Sequence, residues 1–386
     1  MTDLATTLHS EFRSRFPGTP LLVMAPGRIN LIGEHVDYNL GFVLPGAIDK
    51  HFIFAIAANN TDRCRVYSSD FRESSEFDLT ALVAGPHWVN YFMGVAEGFR
   101  RKGKTVHGFD CVFGGTIPAG AGLSSSAALC CGLGTALNEL FEAGLSKIEL
   151  ALIAQFSEHE FAGVKCGLMD QYASLFGERD SLLLLDCRSN THEAVPFPSS
   201  QCTIILADTR VKHSLASSAY NDRRAACEEG AAKLATLFPA VTSLRDVTLD
   251  QLEKGKSLLR QEVFTRCHYI VTEMERTQQA AQALKSGDLA RVGKLMFQTH
   301  EGLRSEYEVS CPELDVLASA AAKHPEWVIG ARMMGGGFGG CTINLIRPGS
   351  EESFKALVSK EYFTSFRHAP EFHTVALAQG THRMNR

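Results

Sequence analysis

Residues 25–45 read Ala25-Pro26-Gly27-Arg28-Ile29-Asn30-Leu31-Ile32-Gly33-Glu34-His35-Val36-Asp37-Tyr38-Asn39-Leu40-Gly41-Phe42-Val43-Leu44-Pro45. Prolines and glycines interrupt the stretch, so it cannot be one regular helix. Arg28, Glu34, His35, Asp37, Tyr38 and Asn39 crowd into a dozen residues. A turn-rich segment that gathers carboxylates, an imidazole and a guanidinium suits polar contacts to something small and hydroxylated.

The surrounding chain is that of an ordinary globular protein. It has 386 residues, 45% hydrophobic and 21% charged, with a formal net charge of −5. That length predicts two domains. The charge leaves no electrostatic footprint for nucleic acid. Eleven scattered cysteines include the pair Cys130-Cys131 but no Cys-x-x-Cys. This argues against a disulfide framework and against a thiolate zinc site. No basic segment followed by an apolar core opens the chain, and no apolar run reaches the ~18–20 residues that span a bilayer. No membrane association and a cytoplasmic location are therefore expected.

Hydrophobic spacing predicts a helix over 3–16 and strands over 21–25, 51–58, 63–69 and 108–117. A helix over 124–142, apolar on nearly every side, reads as buried. A second helix covers 147–162 and a strand 181–186. The Ser-, Pro- and Thr-rich segment 189–200 is the expected domain crossing. A strand over 202–208 follows, then helical patterns from 216 to 325, then strands over 328–334 and 341–347 around a glycine cluster. The mixture predicts an α+β fold with antiparallel or mixed sheets and helices packed against them.

Pro118-Ala119-Gly120-Ala121-Gly122-Leu123-Ser124-Ser125-Ser126-Ala127 joins a strand to the buried helix. Glycines let backbone N–H groups approach a ligand, and a helix N-terminus favours an anion. The serines add hydroxyls. No Gly-Lys-Ser/Thr follows, so this is not a Walker A loop. On the residues alone, a serine-capped helix after a glycine turn fits equally well. Likewise Asp170, in Gly167-Leu168-Met169-Asp170-Gln171-Tyr172 and just ahead of a helix expected over 171–176, reads as an N-cap. Met334-Gly335-Gly336-Gly337-Phe338-Gly339-Gly340-Cys341 contains Gly-x-Gly-x-x-Gly but leads into a strand, which rules out a dinucleotide fingerprint.

Taken together, these segments resemble the GHMP kinase superfamily. Residues 25–45 are similar to its galactokinase signature, residues 118–127 to its Pro-x-x-x-Gly-Leu-x-Ser-Ser-Ala phosphate loop, and the second glycine cluster to its third motif. The resemblance implies a two-domain fold, here divided as 1–195 and 196–386, with the active site in the cleft between domains. It implies ATP-dependent phosphorylation of the anomeric hydroxyl of α-D-galactose, the first step of galactose metabolism. It also implies a nucleotide cradle at Gly120, Ala121, Gly122, Leu123, Ser124, Ser125 and Ser126, with Mg2+ held by Ser126 and Glu158. Asp170 would face the attacking hydroxyl, and Arg28 would stabilise the transferring phosphoryl group. Glu34, His35, Val36, Asp37, Asp170 and Tyr220 would meet the sugar. Tyr220 lies in Ser218-Ala219-Tyr220-Asn221-Asp222-Arg223-Arg224, similar to the family's Ser-x-Tyr-Asn-x-Arg-Arg.

A helix N-terminus and Arg28 both favour an ionised Asp170, which makes it a weak base. A loose phosphoryl-transfer transition state needs little early proton removal, so positioning the hydroxyl suffices. Two positions depart from the family pattern: Val36 replaces a threonine, and Lys165 replaces an uncharged residue, its side chain expected in solvent. Trp88 is expected beside the adenine. The chain is expected to act as a monomer on small molecules. Phosphorylation of N-acetylgalactosamine or arabinose, and a sensor that binds without turnover, remain open as alternatives.

Overall fold

The computed structural model describes residues 3–85, 88–118, 120–212 and 216–385; Ala119 of the expected phosphate loop lies outside them. In chain order the strands are β1 (Leu21–Asn30), β2 (Phe42–Val43), β3 (Pro45–Ala58), β4 (Arg63–Ser68), β5 (Glu73–Asp78), β6 (Phe109–Gly115), β7 (Ser181–Asp186), β8 (Thr191–Pro196), β9 (Thr203–Lys212), β10 (Val328–Met333), β11 (Gly339–Ile346), β12 (Glu371–Val375) and β13 (His382–Arg383). The helices are α1 (Asp3–Arg15), α2 (Val89–Arg101), α3 (Ser125–Leu140), α4 (Lys147–Phe161), α5 (Met169–Phe176), α6 (Ala216–Ala235), α7 (Leu249–Lys254), α8 (Gln261–Lys285), α9 (Leu289–Ser305), α10 (Pro312–Ala322) and α11 (Glu351–Phe366).

The first sheet runs β13-β1-β3-β6-β4-β5, antiparallel except for the parallel β4–β6 pair. Period-2 alternation buries both of its faces. Leu22 of β1 and Ile53 and Ala55 of β3 meet Ala5, Leu8 and Phe12 of α1, while Val23, Phe54 and Ile56 enter the main core. There α3, apolar all round, packs between β1, β3 and α4. The second sheet runs β10-β11-β9-β12, and α9, α10 and α11 lie against it. A small sheet, β2-β7-β8, joins the loop after β1 to the expected crossing, whose first half folds as β8. The last strand, although it falls in the second half of the chain, pairs with β1 through Val23–Arg383 and Met24–His382.

Two local features aim the site. The β1–β3 register shifts between Pro26 and Arg28. A bulge accommodates a proline within a strand and re-aims the residues after it. At the other end, Gly293 of α9 lies so close to β10 that a Cβ there would stand 1.7 Å from the Ile329 carbonyl oxygen. This contact sets the depth of β10 and of its Arg332. Gly293→Ala is therefore expected to cost about 1–3 kcal/mol by overpacking. Gly134→Ala, mid-α3 with its Cβ in ordinary contact at 3.7 Å from Leu150, is expected to be neutral or to gain up to about 1 kcal/mol in helix propensity. Thermal unfolding of the pair checks both.

Candidate active site

Arg28 emerges from the bulge and is 4% exposed. Its Nε and Nη2 donate to Asp170 Oδ1 and Oδ2 at 2.8 and 3.0 Å, a bidentate pair. Its Nη1 donates to the Gly122 carbonyl at 2.6 Å, and its backbone N–H to the Leu123 carbonyl at 3.2 Å. One side chain thus ties β1, the glycine loop and the carboxylate together. The expectation that Asp170 precedes its helix is corrected: α5 starts at Met169, Leu168 occupies the cap, and Asp170 sits inside the first turn. Its side chain turns away from the helix backbone because Arg28 and the Ser124 hydroxyl bind it. Ser124 makes this contact from a left-handed backbone, φ +55°, a conformation unfavourable to a residue with a Cβ.

The loop after β1 is held from outside itself. Glu34, 2% exposed, accepts from Arg332 Nη2 at 3.0 Å and from the Gly335 N–H at 2.8 Å. Tyr269 donates to the Glu34 carbonyl, and Glu273 accepts the Gly33 N–H at 2.9 Å. Asp37 lies under Gly167, where a Cβ would stand 2.1 Å from Asp37 Oδ2; only glycine fits beneath that carboxylate. Burial, reinforced by the nearby Asp170 charge, pushes the Asp37 carboxyl up to about 7. Burial also holds the His35 imidazole down to about 3, so it is neutral. Tyr220 places its ring centroid 5.2 Å from that of His35.

Ser126 donates to Glu158 Oε2 at 3.0 Å, and Gln171 donates to Oε1 at 2.8 Å. Burial and then Asp170 raise the Glu158 carboxyl to about 7. A buried carboxylate beside a hydroxyl, short of positive charge, is a donor set for a hard cation that brings its own phosphate oxygens and waters. Among the described residues no cluster of three or more His, Cys, Asp or Glu could hold a metal without such help.

These groups line one cavity of about 360 Å³: Arg28, Glu34, His35, Asp37, Asp170 and Tyr220 together with Gly120, Gly122, Leu123, Ser124, Ser125, Ser126 and Glu158. Gly335, near Gly122, and Gly336, near Tyr220, also line it. Val36 and Ala121 do not line it. Val36 is apolar and fully buried against Gly41, and Ala121 is buried with its backbone facing Gly340. Lys165 is exposed, as expected. Trp88 packs edge-on against Phe92 and Phe113 and is not part of the lining. All eleven cysteines are free. No described helix is long and apolar enough to cross a membrane. Sequence reasoning missed Arg332, Tyr269, Glu273 and Tyr307, which support the site from the second half of the chain.

Comparison with known proteins follows the same lines. Residues 10–58 match the galactokinase galactose-binding signature, 90–178 the N-terminal domain of GHMP kinases and 280–363 their C-terminal domain. A galactokinase of Chloroflexus aurantiacus is 41% identical over 360 residues, 92% of each chain. The galactokinase of Bos taurus is 39% identical over 371 residues, 93% of this chain and 92% of that one. The structure of Lactococcus lactis galactokinase complexed with galactose superposes with a TM-score of 0.95 at 32% identity, covering 98% of this chain and all of that one. The mevalonate kinase of Methanococcus jannaschii, 17% identical with a TM-score of 0.63, shares the fold.

The raised Asp37 carboxyl makes ligand-free stability depend on pH. In the unfolded chain it ionises near pH 4; in the folded protein it ionises near 7. Its neutral form favours folding fully only below about pH 4, and the benefit fades as pH climbs toward 7. Asp37→Asn is uncharged throughout. Relative to the parent it is expected to raise the ligand-free Tm by a few degrees at about pH 8 and by less at about pH 5, read by scanning calorimetry.

Proposed function

The chain belongs to the galactokinase family of the GHMP kinases and is an enzyme that phosphorylates galactose, and on that premise we propose that it moves the γ-phosphoryl group of ATP onto the anomeric hydroxyl of α-D-galactose. The products are galactose 1-phosphate and ADP. One observation carries the reading: the Arg28–Asp170 pair stands between the polar loop of residues 34–37 and the glycine-serine loop of residues 120–126, within a single cavity. A sugar on the first loop and a triphosphate on the second would meet at Asp170.

In this reading Glu34, His35, Asp37 and Tyr220 hold the sugar hydroxyls. Asp170 accepts a hydrogen bond from the anomeric hydroxyl, orients it and takes its proton late. Arg28 keeps that carboxylate in place and offers positive charge as the phosphoryl group passes. The N–H groups of residues 120–126 and the start of α3 cradle the phosphates. Ser126 and Glu158 would hold Mg2+, which when bound neutralises phosphate charge. Residues 1–195 and 196–386 are the two proposed units, and a single chain supplies every residue named, so a monomer suffices. Eleven unpaired cysteines favour the cytoplasm.

The test is Mg2+-dependent ADP release against galactose, glucose, talose, N-acetylgalactosamine, arabinose, homoserine and mevalonate. Turnover confined to galactose, or nearly so, is expected. Equal turnover of another sugar would overturn the substrate. Binding of galactose and ATP without turnover would make the protein a sensor. Asp170→Asn and Arg28→Ala are expected to fold and to lose at least ~100-fold in kcat; near-parental kcat in a folded variant would remove the role assigned to that residue.

A further inference from the structure

We propose that Ser174 and Thr381, neither of which lines the cavity, are positioning residues for the Arg28–Asp170 pair: they clasp the helix that carries Asp170 to the strand that carries Arg28. The Ser174 hydroxyl donates to the Pro26 carbonyl at 2.7 Å, and the Thr381 hydroxyl donates to the Ser174 carbonyl at 2.9 Å. Both side chains are buried. A carbonyl can only accept, so the direction of each bond is fixed by its chemistry. The two hydroxyls also lie 3.3 Å apart, but each has placed its one hydrogen on a nearer carbonyl.

Ser174 follows Asp170 by four residues on α5, so the two side chains share one face of the helix. Pro26 lies just before Arg28 on β1, at the register shift that aims Arg28. Helix and strand are therefore joined by two rungs, the ion pair and the Ser174–Pro26 bond. The ion pair by itself sets the guanidinium plane against the carboxylate, yet a long arginine side chain can follow a backbone that slides. The second rung grips the strand by its main chain and removes that freedom.

The helix is in turn held from the far end of the sequence. With eight residues, α5 is too short to be stable alone, and its last carbonyls find no partner within it. The segment between β12 and β13 supplies partners. The Thr381 N–H donates to the Ser174 carbonyl at 2.7 Å, beside the hydroxyl of the same residue, and the Gly380 N–H donates to the Gly177 carbonyl at 2.8 Å. Glycine at 380 permits the approach, since a Cβ there would stand 2.6 Å from the Leu175 carbonyl oxygen. The chain then runs directly into β13, which pairs with β1. One segment thus binds both the helix of Asp170 and the strand of Arg28. That this pair governs turnover rests on the sugar-kinase reading; the clasp itself does not.

The experiment uses the full chain labelled with 15N-arginine, without ligand, and steady-state kinetics on the same variants. The Nε–H signal of Arg28, assigned by its loss in Arg28→Ala, reports the bond to Asp170. Ser174→Ala is expected to shift that signal and speed its exchange with water. It is also expected to lower kcat about tenfold while KM for galactose and for ATP stay within about twofold, because misplaced reacting groups lose rate rather than binding. Thr381→Val is expected to act in the same direction, and Thr381→Ser, which keeps the hydroxyl, to match the parent in both readouts. Thr381→Val leaves the Ser174 rung and the two backbone bonds in place, so it decides the matter should Ser174→Ala fail to fold. A parental Arg28 signal and parental kcat in folded Ser174→Ala and Thr381→Val, even with a lowered Tm, would overturn the proposal. Equal losses in Thr381→Val and Thr381→Ser would overturn it as well. A shifted Arg28 signal with unchanged kcat would support the clasp and refute the Arg28–Asp170 pair as the seat of the chemistry.

Discussion

The site depends on a buried ion pair formed across the fold. Arg332 is on β10 in the second sheet and is fully buried; Glu34 is on the loop after β1 and is 2% exposed. Arg332 directs Nε to the Leu31 carbonyl at 2.7 Å and Nη2 to Glu34 at 3.0 Å, and also donates to the Asn30 and Met333 carbonyls. A charge this deep is tolerated only when paired and hydrogen-bonded, and removing one partner typically costs about 3–5 kcal/mol. The forked guanidinium is what reaches a carboxylate and several carbonyls at once. The loop that offers Glu34, His35 and Asp37 to the cavity therefore takes its shape from the second half of the chain, with Tyr269, Glu273 and Tyr307 adding to the same grip.

That grip creates an electrostatic imbalance. Asp37, Glu158 and Asp170 face one cavity, and the guanidinium of Arg28 is committed to Asp170. Burial and the Asp170 charge leave Asp37 and Glu158 with carboxyls raised to about 7. Hydroxyl donors opposite Asp37 and a cation beside Glu158 would relieve the two carboxyls separately, and each has its own neighbours in the structure: Gly167 for Asp37, Ser126 and Gln171 for Glu158. The same burial that raises these carboxyls makes polar ligands favourable there.

How much of this was legible depends on distance along the chain. Arg28 through Asp37, the glycine-serine loop and the Asp170 segment are contiguous motifs, and each carries its chemistry in its own residues. The helices and central strands follow from their periodicity. The edge strand β5, Glu-Ser-Ser-Glu-Phe-Asp, shows no clean alternation, and β13 is only two residues long, so neither carries a pattern. Arg332 lies 298 residues from Glu34, and no local rule links them. One signal was available: a lone arginine in Val328–Met333, a run otherwise apolar enough for a strand buried at every position. A buried charge demands a partner, yet sequence does not say which. The helix start at Met169 was misplaced by two residues because Asp170 looks like a cap until Arg28 and Ser124 are seen to hold it. The side chains of Val36 and Ala121 are buried, so these two positions meet the cavity through their backbone alone if they meet it at all.

The most direct measurement is galactose binding to Arg332→Lys by titration calorimetry, with thermal unfolding as the check on folding. Lysine keeps the charge opposite Glu34 but cannot hold the loop carbonyls at the same time. If Arg332 shapes the sugar loop, the folded variant binds galactose at least about tenfold more weakly, about 1.4 kcal/mol, while binding of Mg2+-ATP stays within about twofold. Galactose affinity equal to the parent's would contradict that account and return the loop's shape to its own residues.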